Sequence, residues 1–114
     1  MFPQINTNST ETSIPKFATI STTTSASLVT AVSAKRIRVL SYVLSNAGTG
    51  VNAKFQSNAG GTDITGLHYL STSSVASVPF SPVGWFQTAA GQALYLSLSA
   101  TASVGGELVY VETD

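Results

Sequence analysis

The stretch from Val78 to Ser99, VPFSPVGWFQTAAGQALYLSLS, decides how this chain is read. It opens with Pro79, Phe80, Pro82 and the Gly84-Trp85-Phe86 triplet, and it closes on a strict alternation at Leu94, Leu96 and Leu98. A Pro/Gly-punctuated turn followed by a period-2 apolar run predicts a corner leading into a half-buried strand. Aromatic rings bury much area at little entropic cost, so Phe80, Trp85 and Phe86 are expected to anchor the core at this corner.

Working outward, the same strand grammar recurs on both sides. Ala34–Ser45, AKRIRVLSYVLS, is the strongest strand of the first half. Simple alternation puts Ile37, Val39 and Val43 on one face and Arg36, Arg38, Leu40, Tyr42 and Leu44 on the other. Apolar residues on both faces predict a central strand. Val51–Ser57 sets Val51, Ala53 and Phe55 against Asn52, Lys54 and Gln56. Further strands are expected at Phe17–Ser21, Ala26–Val32, Thr62–Leu70 (with Gly66 marking a bulge), Val75–Phe80, Gln92–Ala100 and Glu107–Glu112. Asn46-Ala-Gly-Thr-Gly50, Asn58-Ala-Gly-Gly61 and Val104-Gly-Gly106 read as turns or kinks. No stretch carries a 3.6-residue period with caps, so no helix is expected. The fold class that follows is all-β: a single antiparallel β-sandwich, jelly-roll-like, of about eight strands. Residues 1–15 form an extended N-terminal arm, and residues 16–114 form the sandwich domain.

Composition narrows the function classes. The chain has 114 residues, no cysteine, a formal net charge of zero and only 9% charged residues, against about 25% in an average protein. There is thus no disulfide framework, thiolate metal site or cysteine nucleophile. So weak a field holds neither nucleic acid nor an anionic membrane surface. Seventeen serines and fifteen threonines take over the task of solvation, and near-zero net charge favours self-association. The N-terminus MFPQINTNSTETSIPK lacks the basic and apolar regions of a signal peptide, and no apolar run is long enough for a membrane span. A soluble product is expected.

Candidates for chemistry are few. His68 is the sole histidine. On one continuous strand it points away from Asp63, five residues earlier, so it reads as a surface or subunit-contact residue. The carboxylates Glu11, Asp63, Glu107, Glu112 and Asp114 show neither the pairing that glycoside chemistry needs nor metal-ligand spacing. The glycine-rich turns open no helix, so no phosphate cradle is expected. No catalytic residue, metal or cofactor is predicted. Lys35, Arg36 and Arg38 form the one basic cluster, and with Tyr42 they are candidate subunit or partner contacts. In the arm, Phe2, Ile5 and Ile14 are apolar handles that a purely solvating tail does not need.

The segments KRIRVLSYVL (35–44), FQS (55–57), TDITG (62–66), PFSPVGWFQTAAGQALYLSLS (79–99) and VGGELVY (104–110) together resemble a family of small tailed-phage virion proteins, similar to head decoration (cement) proteins. That resemblance implies a jelly-roll or β-sandwich domain, trimeric on the capsid exterior after synthesis in the host cytoplasm. It further implies the major capsid protein as partner and an arm that clasps neighbouring subunits. It also implies that Pro79, Phe80, Gly84, Trp85 and Phe86 keep the fold, with a place at a subunit interface as the alternative for Trp85. Competing expectations are a tail-fibre module that binds host glycan through exposed aromatics such as Tyr42, Tyr69 or Tyr95, a small hydrolase accessory or lectin-like domain, which the few carboxylates and single histidine count against, and a low-copy head-vertex protein.

Overall fold

The computed structural model describes residues 14–114. Phe2 and Ile5 of the expected arm lie outside the described residues. Ten strands form two antiparallel sheets that face each other. The first sheet runs β1 (Lys16–Thr22), β10 (Val104–Thr113), β3 (Arg36–Asn46) and β7 (Val75–Val78), with β8 (Phe86–Gln87) also on β3. The second runs β2 (Ala26–Val29), β9 (Leu94–Leu98), β4 (Val51–Ser57) and β5 (Thr62–Asp63), with β6 (His68–Leu70) also on β4. One outer strand of each sheet is therefore broken in two, so ten strands occupy eight positions. Except along β4–β5–β6 and β7–β8, which stay within one sheet, consecutive strands cross between sheets as in a double-sheet jelly roll. No helix occurs among the described residues.

The alternation read from β4 and β9 is what the sheets use. Val51, Ala53 and Phe55 point inward, as do Leu94 and Leu96, and they meet Ile20, Ile37, Val39, Leu44 and Leu108 from the opposite sheet. Burial of this apolar face is the main driving force for the fold.

Three expectations need correcting. First, β3 does not keep one parity. Tyr110 of β10 sits opposite Val39 and Val109 opposite Ser41, which leaves Leu40 as an extra, unmatched residue. This bulge reverses the alternation, so Ile37 and Val39 share the core face with Tyr42 and Leu44, while Val43 turns outward. Second, the Gly105-Gly106 pair does not turn the chain. It lies inside β10, paired with β3 on one side and β1 on the other. Third, the aromatic corner is not a buried anchor. Phe80 is 59% and Trp85 48% exposed, and only Phe86 of the three packs against the core. Trp85 and Phe86 are adjacent where an extended strand begins, and adjacent residues there point to opposite faces. Phe86 takes the core side opposite Val39, which leaves Trp85 outside. The segment between β7 and β8 leaves the edge of β3 and returns to it. It is fastened by Ser81 N–H to Leu40 O at 2.9 Å and by Trp85 N–H to Val39 O at 2.8 Å.

One polar residue, expected only to open a turn, joins the two sheets. Asn46, at the end of β3, is almost fully buried. Its amide donates to Thr49 O at 2.7 Å and Leu70 O at 3.1 Å, and its Oδ1 accepts from Gly48 N–H at 2.9 Å. One side chain thus shapes the β3–β4 turn and holds it against the end of β6. Asn46→Ala strands several buried polar groups, and we expect a loss of about 2–4 kcal/mol. Urea unfolding checks this: the midpoint falls while the slope stays unchanged.

Candidate functional site

The described surface divides by chemistry along the strands. On one flank of the sandwich β6 and β7 lie side by side, and on the other β1 and β2 do so. Leu67, Tyr69 and Val75 are exposed on the first flank, and Phe80, Val83 and Trp85 are exposed in the loop that continues from it. Ile14 and Phe17 are exposed at the start of β1, on the opposite flank. Large exposed apolar groups gathered at sheet margins mark surfaces that contact another molecule.

The basic cluster does not act as a unit. Lys35 pairs with Asp114. Arg36 reaches Thr88 O at 3.4 Å, and Arg38 Nε donates to Gln87 Oε1 at 3.1 Å. Tyr42 faces the other way, into the core, where burial pushes its phenol above the usual value. It therefore offers no surface for a partner or a sugar.

Tyr42 instead meets His68 across the sheets, with Oη 2.5 Å from Nε2. The other ring nitrogen, Nδ1, lies 3.0 Å from Ala53 O. A carbonyl can only accept, so Nδ1 carries the proton and Nε2 accepts from the phenol. Phe55 and Phe86 pack around the pair, with centroids 5.1 and 5.9 Å from Tyr42. His68 is thus a half-buried tie between β6 and β3, and the expectation of a surface residue is corrected. Asp63 serves a different group. It accepts from Lys54 at 3.0 Å and Gln56 at 2.9 Å, and those hydrogen bonds, Gln56 first, hold its carboxyl below the usual range. The segment 62–70 breaks into β5 and β6 because Ile64 and Thr65 both bond Phe55, through Ile64 N–H to Phe55 O and Phe55 N–H to Thr65 Oγ1.

Among the described residues no three His, Cys, Asp or Glu side chains converge to hold a metal, and no helix is long and apolar enough to cross a membrane. Several shallow depressions mark the described surface, and two of them differ in chemistry. A shallow groove of about 560 Å³ is lined by Ser21, Thr22, Thr23, Ser45 and Ser103 at one end of the first sheet. It offers hydroxyls and no charge. A smaller cleft of about 310 Å³ lies where Arg38 and Gln87 meet Val83, Gly84 and Trp85. It combines a cation, an amide and an aromatic face.

No protein-family profile matches this chain, and no curated protein matches it. Among solved structures, it superimposes with a TM-score of 0.56 on a chain from the work "Bacillus endospore appendages form a novel family of disulfide-linked pili". The two are 18% identical, and the match covers 99% of this chain and 97% of that one. At that identity the likeness is one of fold. Disulfide linkage has no counterpart here, since this chain has no cysteine.

Proposed function

We propose that this chain is a structural assembly protein without catalytic function, which decorates the exterior of a tailed-phage head as a trimer bound to the major capsid protein. The observation that carries this reading is the pair of flanks just described. A rigid jelly roll with few charges leaves large apolar side chains uncovered on both margins, which suits contact with other subunits better than contact with a small substrate. The resemblance of the five segments from 35–44 to 104–110 supplies the phage setting. Ile14, the one apolar handle of the arm among the described residues, is 68% exposed just ahead of β1, as a side chain that packs on a neighbouring subunit would be. Three such arms on one trimer act through effective concentration, which turns weak single contacts into firm attachment.

The fold match to a pilus subunit over nearly the whole of both chains favours a second reading, a non-covalent filament subunit. Solution mass by light scattering, with negative-stain images of the same sample, separates the two. A discrete trimer that saturates purified phage heads supports decoration, and removal of residues 1–13 is then expected to weaken head binding at least tenfold while the domain stays folded. Open-ended fibres support the filament. A monomer that binds no shell overturns both.

A further inference from the structure

The cleft between β3 and the Pro79–Trp85 loop has the parts of a ligand site. We propose that it binds an acidic saccharide, with Trp85 stacking on a sugar ring and Arg38 pairing with its carboxylate. This goes beyond the assembly reading and does not depend on it.

Charge accounting supplies the first observation. The chain has five basic side chains. Lys16, Lys35 and Lys54 each sit on a carboxylate: Glu112, Asp114 and Asp63 respectively. Arg38 does not. Its Nε is spent on Gln87, and its two terminal nitrogens have no partner among the described residues. A guanidinium clamped through Nε presents the remaining donors as a fixed fork, the geometry that takes a carboxylate in two parallel bonds. The amide N–H groups of Gln87 are likewise without a partner among the described residues and stand ready for a hydroxyl.

Trp85 supplies the second. Half of its surface is open, yet the ring is not loose. Its indole N–H donates to Pro79 O at 2.8 Å and its backbone N–H to Val39 O at 2.8 Å. An exposed ring held at both ends presents a preorganised flat apolar face. Gly84 supplies the third. With φ of +93° it lets the loop lie against the stem of Arg38, where an added Cβ would come within 2.5 Å of Cγ and 2.6 Å of Cδ. The loop and the arginine are therefore fitted to each other. A ring with apolar C–H faces, hydroxyl edges and one carboxylate complements this set. A nucleic-acid strand requires a track of cations, and the cleft has one.

Trp85 is the single tryptophan, so its emission reports on the cleft directly. The experiment titrates the full chain with galacturonate, hyaluronan and sialyl oligosaccharides, using maltotriose and lactose as neutral controls. At least one acidic sugar is expected to give a saturable change in Trp85 emission, and to bind about tenfold or more tighter than the neutral controls. Arg38→Gln is expected to erase that preference with an unchanged thermal melt, and Trp85→Leu to abolish binding measured by calorimetry. Several results would overturn the proposal. One is the absence of any saturable change up to ~10 mM sugar, the weak limit for a single small site. Others are equal binding of neutral sugars and indifference to Arg38→Gln. An emission shift that follows protein concentration alone would assign Trp85 to a contact between copies instead.

Discussion

Truncating Phe55 to alanine is expected to remove about 3–5 kcal/mol of stability, the range for deleting a buried phenyl group. Phe55 is fully buried on β4, and its ring lies 4.9 Å from Phe86, 5.1 Å from Tyr42 and 6.0 Å from His68. Those partners belong to β8, β3 and β6, so one side chain touches both sheets and both broken outer strands. The cavity left by alanine has no neighbour free to collapse into it. Tyr42 is held by His68, and Phe86 is held by the pairing of β8 with β3. Domains of this size are stable by about 5–15 kcal/mol in total, so the variant stands near the limit of folding. Its melting temperature should fall by roughly 15 °C or more. Urea unfolding measures the loss, and a value under about 1.5 kcal/mol would show that this ring cluster is not the centre of the core.

The second large effect is expected at Gly106, where a single methyl group meets backbone. Gly106 has φ of +138°, and a Cβ there would lie 1.9 Å from Val43 O and 2.8 Å from Val43 C. Both atoms belong to β3, the strand paired with β10 at this point. Neither a rotamer change nor a shifted side chain relieves such a contact, so the ladder between the two longest strands must open. Backbone strain of about 1–3 kcal/mol adds to the overpacking cost of similar size. We expect Gly106→Ala to lose about 3 kcal/mol or more, or to yield no folded protein. Gly66→Ala is the matched control, because a Cβ there meets nothing within 4 Å and its φ is unexceptional. Its melt should stay within about 0.5 kcal/mol of the parent. Equal losses in the two variants would mean that general glycine entropy, not the close approach of Val43, is responsible.

Phe55 falls on the framework that patterning made legible, whereas Gly106 falls where a turn was expected and the structure has a strand. Period-2 alternation in Val51–Ser57 and Leu94–Leu98, turn residues between strands, and the absence of any helical period are local properties. They sufficed for an all-β sandwich and for the inward set Val51, Ala53, Phe55, Leu94 and Leu96. Local pattern also identified β3 as central, since apolar residues occur on both its faces.

The rest was decided between strands. Whether β3 keeps its parity depends on an unmatched residue at Leu40, and a bulge exists only relative to the partner strand. The Gly105-Gly106 pair carries a turn composition, yet Val43 approaches so closely that only a residue without a side chain fits inside β10. Asn46 resembles any turn asparagine until the end of β6 arrives with carbonyls to satisfy. Trp85 and Phe86 look alike by hydrophobicity. Their adjacency on an extended chain could have warned that one must face out, but which one follows from the pairing of Phe86 with Val39.

Composition and alternation thus determined the class of fold and most of its core, because burial responds to side-chain chemistry at fixed spacing. The register, the bulge and the convergence of Arg38, Gln87 and Trp85 were decided by tertiary structure alone. These three side chains come from segments some fifty residues apart and share one surface only after β8 has found the edge of β3.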